Sequence, residues 1–179
     1  MIQRKVLRMN KMRLTLIALS LLVACSAFNA EAQSESQQTQ VRGYWIDPST
    51  GLMWAGKDNG TDVSWYKAMK YCRKLRLAGY SDWRLPMVGE LGQIYDGSVN
   101  APGLAGPDKK KRAFTFHVKG NLFLTGDQWS STRLYDDRGH PSGYAWRFDF
   151  NEGRSFDGDE LWFNTNKHAL CVRREIAVR

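Results

Sequence analysis

The chain has 179 residues, 42% of them hydrophobic, with 26 Lys and Arg against 18 Asp and Glu. That composition is too apolar for a disordered chain, and the length suits one domain of ordinary size. The formal charge of +8 exaggerates the basicity of that domain: residues 1–32 hold five of the basic residues and only Glu31 of the acidic ones, leaving 21 against 17, or +4. A nucleic-acid reading, which rests on a strongly basic face, loses its footing on that ground.

Arg4, Lys5, Arg8, Lys11 and Arg13 precede an apolar run from Leu14 to Ala24, the charged n-region and short h-region of a secretory signal. Such a run is far shorter than the ~20 residues a membrane-spanning helix needs. Two processing routes compete. Leu22-Val23-Ala24-Cys25 fits a lipobox, which would make Cys25 the lipidated first residue, whereas Ala30-Glu31-Ala32 fits ordinary cleavage before Gln33. Met9 or Met12 would serve equally as the true start. Residues 33–40, QSESQQTQ, are polar without apolar period and read as a flexible tether, so the domain is expected over residues 41–179.

Strands are expected at 42–46 and 51–55, flanking the turn-forming DPSTG. A helix follows from Val63 to Leu77, with Asp62 as N-cap and Gly79 as its stop. Its apolar stripe is Trp65, Ala68, Met69, Cys72 and Leu75, so Cys72 faces the core. A shorter second helix should hold Pro86 in its first turn and run through Glu90, Leu91 and Ile94 to about Tyr95. Residues 97–112, with Pro102, Pro107 and the run KKKR, read as a long exposed loop. Short strands are expected at 121–124, 128–132 and 143–150, the last alternating Tyr144, Trp146, Phe148 and Phe150. NEG at 151–153 should turn the chain back, and Ala169–Val172 should form a central strand.

Removal of the signal leaves Cys72 and Cys171, which an oxidising compartment allows to pair across about 100 residues; two buried free thiols are the alternative. No C-x-x-C or nearby histidine pair supports a metal at either cysteine.

The stretches TGLMWA (50–55), SWYKAMKYC (64–72), GYSDWRLPMVGELGQIYD (79–96), QWSST (128–132), YAWRFDFNEG (144–153) and ALCVRR (169–174) together resemble the Lcl C-terminal domain family, in order and over nearly the whole domain. Met87 departs from the pattern, since members carry Thr or Ser there to cap the second helix. The resemblance implies a small α+β domain of C-type-lectin-like architecture, with two helices packed on short antiparallel strands and the early helix tied by disulfide to the last strand. The family's named member ends a collagen-like bacterial adhesin that binds sulfated glycosaminoglycans. No Gly-x-y tract is present here, so the avidity of a trimeric stalk does not carry over.

Trp83 and Leu85 of DWRLP are read as core, with Arg84 pairing to Glu90 or Asp82. Of seven tryptophans, Trp45, Trp54, Trp65, Trp83, Trp129 and Trp146 sit in apolar periods, while Trp162 in DGDELWFNTN is the candidate exposed platform for a sugar ring. Lys109, Lys110, Lys111 and Arg112 form the dense positive patch of the domain and would attract an anionic polysaccharide in a salt-sensitive way, although such a run is equally a solvated loop. Asp157, Asp159 and Glu160 do not follow an EF-hand spacing, and Asp136, Asp137 and His140 read as a polar turn, so no metal and no cofactor are expected. Ser130 or Ser131 with His117, His140 or His168 would be the pieces of a weak hydrolase, but no nucleophile elbow, metal motif or phosphate loop accompanies them. The expectation is therefore a non-catalytic, exported cell-envelope binding domain for an anionic glycan. A scaffolding envelope lipoprotein with a protein partner is the alternative from a different class.

Overall fold

The computed structural model describes residues 39–107 and 110–174. The signal segment, Cys25 and Lys109 lie outside the described residues. Residues 38–179 form one compact unit. It is a mixed α+β domain, rich in strands with few helices.

The first hairpin pairs β1 (Tyr44–Ile46) with β2 (Leu52–Ala55), Trp45 standing opposite Trp54. The turn closes because the Asp47 carboxylate accepts hydrogen bonds from Ser49 and Thr50 at 2.6–3.1 Å, as aspartate does where it opens a turn. β9 (Val172–Arg174) adds to the other edge of β2, giving the order β1-β2-β9. Every residue of β2 is buried, since both faces of the strand are covered. Leu52 and Trp54 enter one core cluster, with Leu91, Ile94, Phe148 and Phe150; Met53 and Ala55 enter the other, with Trp65, Trp83 and Trp129. The same period of two sends Leu170 and Val172 into the first cluster and Ala169 and Cys171 into the second.

Helix α1 spans Trp65–Lys74, shorter at both ends than its periodicity suggests. Ser64 occupies the N-cap position and Asp62 is drawn away toward His168. Trp65, Ala68 and Cys72 are its buried stripe, and Arg73 and Lys74 complement the dipole at its C-terminal end. Cys72 and Cys171 form a disulfide with their Cα atoms 5.4 Å apart, which pins α1 to the segment entering β9.

Helix α2 spans Val88–Gln93, with Met87 as N-cap and Pro86 one residue before it. Without a hydroxyl at position 87, two other side chains serve the N–H groups at the start of the helix. The Glu90 carboxylate accepts the Met87 N–H at 2.7 Å, and Thr132 Oγ1, from a distant strand, accepts the Val88 N–H at 3.0 Å. Glu90 also holds Arg84 bidentately at 2.6 and 2.7 Å, while Asp82 pairs with Arg173. Arg84 exchanges two backbone hydrogen bonds with Val172, so the DWRLP segment covers the free edge of β9.

The stretch expected as an open loop is instead a β-hairpin, β3 (Ala101–Ala105) with β4 (Arg112–Phe116). Glycine and proline obscured it, but Gly103 is required there. A Cβ would lie 2.3 Å from Leu124 O, and Pro102 sits in a two-stranded ribbon where one edge needs no donor. A 3-10 turn, Lys119–Asn121, follows, and residues 123 and 124 make single bridges rather than the expected strand.

The larger sheet has the order β7-β6-β5-β8, built from β5 (Asp127–Tyr135), β6 (Pro141–Asp149), β7 (Arg154–Glu160) and β8 (Lys167–His168), the last parallel to β5. Alternation along β6 does not hold as the sequence suggests. Ala145, Phe148 and Phe150 are buried, whereas Tyr144 is 40% exposed and Trp146 only half-buried. Between Ala145 and Arg147 the register against β7 shifts, with one extra residue in β7, and the buried positions of β6 pass from Ala145 to Phe148, three residues on. The NEG turn is present, with Gly153 at φ 68° and packed against the Tyr95 ring.

Residues 39–42 are helical and Thr39 is buried, its carbonyl accepting the Gly43 N–H at 2.9 Å. The domain thus reaches back into the last residues of the polar stretch read as tether.

Candidate functional site

At the end of the domain where β5, β6 and β8 meet, the core is polar. Asp127 opens β5, is nearly buried, and accepts from Arg147 at 2.7 Å, with Lys167 Nζ 3.6 Å away. Arg147 also faces Asp159 at 2.5 Å, and Lys167 lies 3.8 Å from the same carboxylate. Two acids and two bases therefore share one site. Burial pushes the Asp127 carboxyl up to about 6, against the pull of Arg147, while burial also lowers the Lys167 ammonium below its ordinary value.

Beside this quartet stands a second buried group. Asp58 accepts from Thr125 N, Thr125 Oγ1 and Gln128 Nε2 at 2.7–2.9 Å. The Thr125 hydroxyl lies 2.8 Å from His168 Nδ1, and His168 Nε2 lies 3.1 Å from Asp62 Oδ1. His168 is fully buried, and Gly126 permits its approach, because a Cβ there would meet the imidazole at 2.4 Å.

Of these groups, Asp127, Gly126 and Asp62 line a cleft of about 440 Å³. Gly106, Pro107 and Phe114 of the β3–β4 hairpin line one side, and Thr165 and Asn166 of the loop before β8 line another. Asp62, Asp127, Asp149 and Asn151 complete the wall. A second cleft, about 450 Å³ and lined by Tyr71, Leu75, Leu77, Pro102 and Phe123, is more apolar and carries none of the candidate binding residues.

Lys110 and Arg112 are exposed on the hairpin whose Gly106 and Pro107 line the first cleft. Lys111 differs from them. It is half-buried and its ammonium donates to Gly60 O at 2.9 Å, tying the hairpin across to the 58–62 turn. Trp162 is 70% exposed and belongs to the loop that supplies Thr165 and Asn166. The two stretches singled out in the sequence thus lie in two loops that border one cleft. Tyr66, Tyr144 and Phe163 are exposed as well, and backbone bonds from Trp65 N to Leu161 O and from Leu161 N to Gly143 O join their neighbours around Trp162.

Other candidates are not brought together. Ser131 Oγ donates to Pro86 O and Ser130 Oγ accepts the Thr132 N–H, whereas His117 faces Val99 O and His140 faces Asp136. Asp157 is exposed while Asp159 is engaged by Arg147. Asp136 accepts the backbone N–H groups of Arg138 and His140, the polar turn expected there. Among the described residues, no group of three or more His, Cys, Asp and Glu is arranged to hold a metal. No described helix is long and apolar enough to cross a membrane.

Sequence reasoning missed Asp127, Asp149, Asn151, Asn166 and the buried Asp58–Thr125–His168 group. The available signal was weak: charged residues at 58, 127, 167 and 168 flank apolar runs, a position that is equally common at strand ends.

Residues 43–173 match the Lcl C-terminal domain, well over half of the chain, and the chain belongs to that family. A comparison with curated proteins gives no match.

Proposed function

We propose, from this family membership and the cleft geometry, that the chain is an exported, adhesin-like envelope domain. It recognises an anionic glycan on the surface shared by the β3–β4 hairpin and the 161–166 loop. The carrying observation is that exposed Lys110 and Arg112, and exposed Trp162, stand on the two loops that border the same cleft. Cations at the rim would steer a polyanion and hold its acidic groups, while an indole face would cover the apolar face of a sugar ring.

Export is supported by the signal-like first 24 residues and by the Cys72–Cys171 bridge, which persists in an oxidising compartment. Lipidation at Cys25 would keep the domain at the membrane; cleavage before Gln33 would release it. A C-type-lectin-like architecture is supported by the early helix being tied to the last strand. The role is binding rather than catalysis, since the candidate serines and histidines are held by other partners.

The test is binding of the mature protein to sulfated and carboxylated oligosaccharides at low and high salt. Wild type should bind at low salt and lose affinity at high salt, and Lys110→Ala with Arg112→Ala should lower the low-salt affinity about tenfold. Unchanged affinity in that variant would defeat the site assignment. No binding at either salt would favour the scaffold reading, in which exposed Tyr66, Tyr144 and Trp162 serve a protein partner.

A further inference from the structure

The charges around the cleft are segregated. Among the described residues, its wall carries the carboxylates of Asp62, Asp127 and Asp149 and no Lys, Arg or His. Arg147 and Lys167 are engaged with Asp127 and Asp159. The exposed cations Lys110 and Arg112 stand outside, on the hairpin. A sulfate or carboxylate that entered the cleft would meet carboxylates at close range, at a cost that grows as water is excluded.

The remaining lining suits another chemistry. Asn151 and Asn166 each bring a planar amide that both donates and accepts, and the carboxylates accept from hydroxyl groups. Phe114 is 38% exposed, with its ring set edge-on to Phe116 at 5.1 Å, and offers apolar surface on the hairpin side. The volume lies within the range of small-ligand sites.

We infer that this cleft is the specificity subsite for an uncharged, hydroxyl-rich sugar residue of the polymer, whose acidic groups remain outside on Lys110 and Arg112. The inference rests on the anionic-glycan reading and narrows it. The preferred ligand is a copolymer in which charged and neutral sugars alternate, and a chain charged at every residue is disfavoured because one of its acids would fall in the cleft.

Three probes and two variants separate the possibilities. The probes are a hyaluronan octasaccharide, with alternating acid and neutral residues, a polygalacturonate octasaccharide, charged throughout, and neutral chitotriose. Asn151→Trp fills the mouth of the cleft from an exposed turn, and its folding is checked by thermal melting. Lys110→Ala with Arg112→Ala removes the rim charge.

The expected result is that the alternating chain binds at least tenfold tighter than the uniformly charged one. Chitotriose should bind weakly, independently of salt and of the rim charges. Asn151→Trp should remove both the preference and the chitotriose binding. Equal or tighter binding of the uniformly charged chain, with Asn151→Trp without effect, overturns the subsite while leaving the anionic-glycan reading intact. Chitotriose binding that Asn151→Trp abolishes, with neither polyanion bound, keeps the subsite and overturns the anionic-glycan reading.

Discussion

The two ends of the domain are held by different physics. Around β2 the chain is apolar on both faces and cross-linked: Met53, Trp54, Trp83 and Leu85 are buried and Cys72 is bonded to Cys171. Around the cleft, Asp127, Arg147, Asp159 and Lys167 share a buried ionic site beside Asp58, Thr125 and His168. Apolar burial carries no titratable group and is indifferent to pH, whereas buried charges are costly unless every partner is present. The apolar end therefore supplies stability, and the polar end supplies a shaped and charged wall at the cost of sensitivity to its surroundings.

The largest expected effect breaks the apolar end. Cys171→Ser removes a cross-link spanning 99 residues, worth about 4–5 kcal/mol in the chain-entropy model. Urea unfolding with and without reductant should show that loss in wild type and no further loss in the variant. A difference below 1 kcal/mol would place the stability of this end in its packing alone.

Arg147→Met attacks the polar end. It leaves Asp127 and Asp159 without their shared guanidinium and should cost about 3 kcal/mol, since removing one partner strands the other buried charges. Asp127 also gives that end its own pH dependence. Its folded carboxyl is raised from 3.8 to about 6, so the native state holds a proton that the unfolded chain has released. Stability from this group is therefore lost as pH rises from about 4 to about 6, by on the order of 2–3 kcal/mol. Melting curves across that interval should show the drop in wild type and its absence in Asp127→Asn.

Glu90→Gln lies between the two ends. Burial raises the Glu90 carboxyl, but Arg84 and the Met87 N–H together bring it below the usual carboxylate range. The substitution should cost about 1–2 kcal/mol above pH 5, and the difference from wild type should vanish in acid as the carboxyl protonates. The smallest effect compares two core tryptophans. Trp129 Nε1 donates to Val63 O at 2.8 Å, while Trp54 Nε1 is buried with no acceptor among the described residues. Trp129→Phe should be more destabilising than Trp54→Phe by about 1 kcal/mol, because only the first strands a carbonyl. Equal losses would mean that the Trp54 N–H has a water partner.

Much of the apolar end was legible in the sequence. The hairpin at Tyr44–Ala55, the stripe Trp65, Ala68 and Cys72 and the burial of Trp83 and Leu85 were read there, while the structure decided between the disulfide and two free thiols for Cys72 and Cys171, and between Glu90 and Asp82 as the partner of Arg84. Trp162 was a candidate for exposure from the irregular polar stretch around it, and the structure shows it exposed.

Other features came only from tertiary structure. The hairpin at 101–116 was concealed because Gly103 and Pro102 read as loop until Leu124 closes over them. The inward face of β6 was misread because its burial does not keep one period of two, and the register shifts against β5 and β7 beside it involve residues far away in sequence. Thr132 capping α2 joins residues 44 positions apart. The cleft draws Asp62, Phe114, Asp127, Asp149 and Asn166 from separate elements. By itself, then, the sequence determined the segments that local periodicity specifies and the composition of the core. Which polar residues converge depends on contacts between distant parts of the chain, and a carboxylate at a strand end looks the same in sequence whether it meets solvent or a buried arginine.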